Sequence, residues 1–365
     1  MEVGILQSFQ NFRDAMSDAE RMRQALALAD LYEPLGFDFV LAAEHHFHNY
    51  TMSPVPFDFL SWLAGRTKRI KLGPGVIIIP WNDPYRAAAH LIMLDHLTEG
   101  RAMLGFGRGL ARGEMDLFGI DMNETRAMFD EGARKILEAV TTGSFPGGGK
   151  YYSAQSRSPM RPAPRSTDWK DRMVCVGMSP PSAIAAGELG ARLMSFAQVP
   201  WAVYRDSHLA PYLATFREKH GREPLPMVVC ETIIVHEDAE RARELAYLYA
   251  GQYYDSVMEF YRFDDGVMKG IKGYESYAKL TDDTAHIAQD EKRAGYVEQN
   301  LYGTPAEILE KLRERRETLS FPFDSCLLVD FGGTPPAVSE HTLRLVSEHI
   351  LPVVHGWDAD FRAGN

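Results

Sequence analysis

Cysteine is scarce. The 365 residues hold three, Cys175, Cys230 and Cys326, each inside an apolar run and none at a spacing that suits a metal site or a disulfide framework. Buried thiols in a reducing, cytoplasmic setting are the expectation. Long apolar runs are missing too: no stretch of about 18 uncharged apolar residues occurs. The amino terminus enters Val3-Gly4-Ile5-Leu6 without a basic stretch or a small-residue cleavage site. Neither a membrane span nor an export signal is expected. Positive charge is in deficit, with 39 Lys and Arg against 50 Asp and Glu and a formal charge of -11. Nucleic acid and anionic lipid need clustered basic residues and are disfavoured as partners. No dinucleotide fingerprint is present, because Leu110 stands where Gly-x-Gly-x-x-Gly needs its last glycine, and there is no Walker A loop or nucleophile elbow. A protein acting on a small molecule is left, with 45% hydrophobic residues to build a large core.

Apolar, β-rich runs alternate with helical patterns from end to end, the signature of βαβ units around a parallel sheet. Eight strands are expected at Val3 to Phe9, Phe37 to Ala43, Ile70 to Ile79, Ala102 to Phe106, Met173 to Val176, Leu193 to Phe196, Met227 to Val235 and Ser325 to Phe331. They read as continuously apolar, as strands covered on both faces do. The fold class is therefore α/β, a (β/α)8 TIM barrel filling 1–365 as one domain. Asp83-Pro84 opens one helix, Asp238 another, and Thr304-Pro305-Ala306-Glu307 is a capping box. Two segments break the rhythm. Residues 143–171 are rich in Gly, Pro and Ser, and 263–302 are polar and weakly periodic. These are expected as insertions after strands four and seven, the second a mobile lid.

Candidate chemistry gathers at strand ends, where barrel enzymes place it. Glu44-His45-His46-Phe47 ends the second strand. Period-2 alternation sends Glu44 and His46 one way and His45 the other, so the three cannot grip one metal without a bend, and no metal is expected. At least one imidazole is assigned to catalysis, against the alternative of a histidine that only satisfies buried backbone. Gly105-Phe106-Gly107-Arg108-Gly109-Leu110 follows the fourth strand. Its glycines let backbone approach a ligand, and Arg108 offers a donor fork suited to phosphate; a plain turn with a solvated arginine fits equally well. Arg126 could join Arg108 on one phosphate or simply pair with Glu124 or Glu131. Gly177-Met178-Ser179-Pro180-Pro181-Ser182 leads into a helix whose free N–H groups and hydroxyls could complete an anion cradle, though capping alone explains the serines. Gly73-Pro74-Gly75-Val76 marks a bulge or a close approach. Tyr247, Tyr249, Tyr253 and Tyr254 read as helix packing.

Taken with Gly36-Phe37-Asp38, Leu94-Asp95, Gly100-Arg101, Phe118 to Asn123, Tyr254-Asp255-Ser256 and Gly303-Thr304-Pro305, these blocks resemble the bacterial luciferase-like flavin-dependent monooxygenases, above all their catalytic α-subunit type. The resemblance runs from the first strand to the last helix. It implies a two-component enzyme that takes reduced FMN from a separate flavin reductase and uses dioxygen through a flavin hydroperoxide. The substrate would be a small apolar organic molecule such as an aldehyde or ketone, and the assembly a homodimer through the early helices. By position it makes His45 catalytic and places Arg108 and Arg126 at the flavin phosphate. Leu110, Ser179 and Ser182 fall on other flavin-site positions, and Gly75-Val76 on a non-prolyl cis peptide. The chain departs from the luciferase subunit at Gly107, where that subunit has a reactive cysteine, and at Met178, where it has a glutamate. It departs again in Phe196-Ala197-Gln198, which replaces a tryptophan; these changes weigh against light emission. A deazaflavin-dependent oxidoreductase is the nearest rival. A non-catalytic flavin-binding subunit is another, disfavoured by the retained double histidine, and a metal-dependent hydrolase is the third.

Overall fold

The computed structural model describes residues 1–363. Its principal strands are β1 (Val3–Gln7), β2 (Phe39–Ala42), β3 (Lys71–Pro74), β4 (Ile77–Ile78), β5 (Leu104–Gly107), β6 (Met173–Val176), β7 (Arg192–Phe196), β8 (Met227–Val235), β9 (Leu301–Gly303) and β10 (Phe323–Leu328). All but β9 form the path β3-β2-β1-β10-β8-β7-β6-β5-β4, and β9 pairs with the far end of β8. Every pairing along it is parallel.

The two ends of that path are halves of one run. β3 pairs with β2, β4 pairs with β5, and Leu72 of β3 also bridges Ala102 just ahead of β5. The sheet thereby closes into the barrel. Each of the eight expected runs supplies a barrel strand. Only 70–79 divides, at a cis peptide between Gly75 and Val76. Here the backbones crowd: a Cβ on Gly105 would lie 2.2 Å from the Pro74 carbonyl oxygen. The glycine there serves contact between strands rather than approach of a ligand. Gly107 is similar, since a Cβ would meet Val76 Cγ2 at 2.3 Å.

The main helices are α1 (Asp18–Tyr32), α2 (Pro56–Ala64), α3 (Pro84–Leu97), α4 (Arg112–Leu117), α5 (Thr125–Thr142), α6 (Pro180–Leu189), α7 (Ala210–His220), α8 (Ala239–Tyr261), α9 (Glu275–Thr284), α10 (Gln289–Gln299), α11 (Pro305–Leu319) and α12 (Pro336–Leu345). They wrap the sheet, so alternate residues of each strand enter different cores. Phe39 and Leu41 of β2 join Met103, Val174, Met194, Val228 and Leu328 inside the barrel, while Val40 and Ala42 join the layer between sheet and helices. This double coverage is why the strands read as unbroken apolar runs. None of the described helices is long and apolar enough to cross a membrane.

Residues 143–171 hold a short antiparallel hairpin in which 144–145 pair with 158–159. The stretch 263–302 contains α9, α10 and β9, structure that its weak periodicity hides. No residue of α9 is buried and only Val297 of α10 is. A helix that buries so little has little reason to keep an apolar stripe.

Candidate active site

A cavity of about 1170 Å3, counting its open mouth, lies where the strands end on their carboxyl side. Its walls come from the segments after β2, β4, β5, β6 and β7, with Tyr253 and Tyr261 of α8 and Tyr296 of α10 closing one side.

His45 is held at both nitrogens. Nδ1 lies 3.1 and 3.2 Å from the two carboxylate oxygens of Glu114, and Nε2 lies 3.2 Å from the Tyr261 hydroxyl. A carboxylate only accepts, so the network places the proton on Nδ1 and lets the Tyr261 O–H donate to Nε2. Burial pushes the Tyr261 phenol well above its ordinary range, which keeps it a donor. Glu114 is also buried and accepts the His46 backbone N–H at 2.7 Å. One carboxylate thus fixes both the catalytic candidate and the chain beside it.

Glu44 also lines the cavity but is bonded to a different set of partners. It accepts from the Ile78 N–H at 2.9 Å, Trp81 Nε1 at 2.7 Å and Asn82 Nδ2 at 2.8 Å, with His46 Nε2 at 3.2 Å. Those bonds pin the exit of β4 to the end of β2. Glu44 and His46 form a bracket, with the His46 ring 4.8 Å from Phe118 and 5.8 Å from Trp81, while the His45 ring lies 5.3 Å from Tyr50 and 5.0 Å from Phe260 between centroids.

Elsewhere around the cavity the groups are cationic. Arg108 lies over the Tyr274 ring, its carbon 3.9 Å from the centroid, and Nη2 donates to the Gly273 carbonyl at 2.8 Å. Gly273 (φ +83°) admits it, because a Cβ would come within 2.6 Å of Nη1. That Nη1 is buried without a hydrogen-bond partner. Burial lowers the affinity of Arg126 for its proton, and the neighbouring charge of Arg108 lowers it further. Two partly dehydrated cations and an orphaned donor fit an anion, the phosphate of a flavin nucleotide included. Ser182 accepts from Arg126 Nη2 at 3.0 Å and from Ser179 Oγ at 2.9 Å, which leaves its own O–H to donate into the cavity.

Of the residues singled out from sequence, His45, Gly75, Val76, Gly107, Arg108, Leu110, Met178 and Ser182 line this cavity. Arg126 and Ser179 do not; both act on it through Ser182. Free helix N–H groups are also fewer than expected at α6, because Pro180 and Pro181 have none and the Ser182 N–H is taken by Ser179. Tyr253, read as packing, lines the cavity. Sequence reasoning missed Glu114, which stands 69 positions from His45 and carries no local mark of that pairing. It missed Tyr261 as well, whose only signal is its place in an aromatic run.

The sequence signature of the luciferase-like monooxygenases matches residues 1–320. The chain belongs to that family. Among relatives of this luciferase-like monooxygenase, the alkanal monooxygenase alpha chain of Photorhabdus luminescens is 26% identical over 92% of this chain and 93% of its own. Limonene 1,2-monooxygenase of Rhodococcus erythropolis is 31% identical over 50% and 47%. An uncharacterised protein of Sinorhizobium fredii is 37% identical over 38% of this chain, and the match spans only 41% of that relative's length. Among solved structures, the monooxygenase RslO1 of Streptomyces bottropensis superposes with a TM-score of 0.74 at 26% identity, covering 97% of this chain and 99% of its own. The oxygenating component of 3,6-diketocamphane monooxygenase from Pseudomonas putida, solved with FMN, gives 0.77 at 19%, covering 96% and 98%. A coenzyme F420-dependent reductase of Methanopyrus kandleri gives 0.67 at 17%, covering 97% and 99%. The last two share the fold, and between them they show that the fold alone does not choose the cofactor.

Proposed function

We propose that this luciferase-like monooxygenase binds reduced FMN, delivered by a separate flavin reductase, and uses it with dioxygen to oxidise a small apolar organic molecule such as an aldehyde or ketone. The observation that carries the proposal is the meeting of the Glu114-held imidazole of His45 and the buried, unpartnered Nη1 of Arg108 in one cavity. Bound FMN supplies the electrons for oxygen activation. Everything else falls to the chain. Arg108 and the Ser182 hydroxyl hold the phosphate, with Arg126 and Ser179 acting through Ser182. Gly75, Val76, Gly107, Leu110 and Met178 shape the walls around the nucleotide.

His45 holds or releases a proton at Nε2, with Glu114 fixing the tautomer and Tyr261 the ring. Tyr50, Tyr253 and Tyr296 stay neutral, since burial raises each phenol well above its ordinary range. They keep water out and offer hydroxyls to an oxygen-bearing substrate. We assign 263–302 as the lid. Phe263, Tyr277 and Tyr296 of this segment face the cavity, and its grip on the β5–α5 region runs through Arg112 to the Val267 carbonyl and the Lys272 N–H to Asn123. The exposed Val55, Met93 and Leu97 beside α2 and α3 are the surface we assign to a homodimer.

Anaerobic titration with reduced FMN and with reduced F420 tests the cofactor. Tighter binding of FMN is expected, and loss of the Arg108 contact in Arg108→Ala should weaken it about 10–100-fold. Preference for F420 would assign the chain to hydride transfer instead. Oxygen-18 appearing in product from a panel of lipophilic carbonyl compounds, with NADH and a flavin reductase present, would identify the oxygenation.

A further inference from the structure

Outside the cavity, three ligating side chains meet where β8 ends. His236 follows the last residue of β8, Glu237 is next, and His341 reaches them from α12, 104 positions beyond Glu237. None of the three lines the cavity. Glu237 Oε2 lies 2.8 Å from His341 Nε2 and 3.6 Å from His236 Nδ1, and all the ligating atoms fall within 4.8 Å of one another. We propose that His236, Glu237 and His341 form a surface site for a borderline divalent transition-metal ion of the Zn2+ class.

The spacing suits such an ion. Ligands about 2.0–2.2 Å from a tetrahedral Zn2+ stand roughly 3.4 Å from each other, between the two separations from Glu237 and below the 4.8 Å that bounds all three. Two imidazoles and one carboxylate select Zn2+, Co2+, Ni2+ or Cu2+ over Mg2+ and Ca2+, which take oxygen ligands. The groups also stand on rigid elements. The Val235 N–H donates to Thr342 Oγ1 at 3.2 Å, so the residue before His236 is tied to the residue after His341. The His236 N–H donates to the Gly303 carbonyl at 3.2 Å, anchoring the same corner to β9. His236 Nδ1 accepts the Asp238 N–H at 3.0 Å, a bond the ion replaces. That exchange holds affinity to a moderate range. Glu237 is exposed and His236 and His341 are half-buried, so the fourth position belongs to water. Loaded, the site clamps α12 to the barrel, independently of whatever the cavity binds.

Isothermal titration of the chelator-stripped, full-length protein with Zn2+ and with Mg2+ tests this. One Zn2+ per chain in the micromolar range and no measurable Mg2+ are expected. His236→Ala and His341→Ala should each weaken Zn2+ binding by at least about 100-fold, since even loss of an outer-shell partner costs about 10–100-fold. Their circular dichroism and their Tm in chelator should match those of the unaltered protein. Zn2+ should raise Tm by a few degrees in the unaltered chain only. An unaltered chain that takes no Zn2+, or variants that bind as it does, would overturn the site, as would a His341→Gln chain that folds normally and keeps full affinity.

Discussion

At the scale of single residues, His45 owes its role to what surrounds it. An imidazole at a strand end is common; one that has a buried carboxylate on one nitrogen and a phenol on the other is prepared to hold a proton in a defined place. His45→Ala should leave the affinity for reduced FMN nearly unchanged, because the hydrogen bonds of His45 run to Glu114 and Tyr261 and not to Arg108 or Ser182, the residues proposed to hold the phosphate. Product yield should drop about 10²–10⁴-fold while oxygen is still consumed, so the ratio of hydrogen peroxide to product is the quantity to measure. An unaltered ratio would remove His45 from the chemistry. Glu114 carries a structural load as well. Glu114→Ala strands the His46 N–H and should cost about 1–3 kcal/mol, read from the urea midpoint. Glu114→Gln keeps an acceptor and should recover most of that loss.

At the scale of elements, the close approach of β5 to the β3–β4 break decides whether the barrel shuts. Gly105→Ala puts a methyl against the Pro74 carbonyl and should destabilise the fold by about 1–3 kcal/mol or more, measured by chemical denaturation. The capping box at Thr304 shows how local such signals can be. Thr304 accepts from the Glu307 N–H while Glu307 accepts from the Thr304 N–H, and this is readable from four letters of sequence. The strands were legible for a similar reason, since each is a short apolar run between turn residues. The β3–β4 split was marked by Gly73-Pro74-Gly75, which read as a bulge or a close approach, although the run of 70–79 was expected as one strand. α9 and α10 escaped, having almost nothing to bury.

For the whole molecule, the closed sheet and its helical coat bury some charged groups together with their partners. Glu231 in β8 accepts both ends of the Arg315 fork, at 2.5 and 2.6 Å, with neither partner exposed. The cysteines share that interior. Cys230 stands in register with Cys326 across β8 and β10, yet both remain free thiols. Burial pushes the Cys175 thiol up to about 12 and Cys230 well above its ordinary value. The native protein should therefore give no reaction with a thiol reagent such as DTNB at pH 8, and three equivalents after unfolding. A fast-reacting thiol in the native state would contradict this packing.

The sequence by itself determined the barrel, the order of its strands and the loops that carry His45, Arg108 and Ser182, because periodicity and turn chemistry are local and repeat eight times around a closed sheet. Only the tertiary structure decided that Glu114 and Tyr261 would grip His45, that Arg126 and Ser179 would act through Ser182, and that His341 would come to Glu237. Apart from the Ser179–Ser182 bond, which spans three positions, those contacts join residues tens to hundreds of positions apart. Side chains at such distances meet only once closure of the barrel has fixed where each strand ends, and no pattern along the chain encodes that meeting.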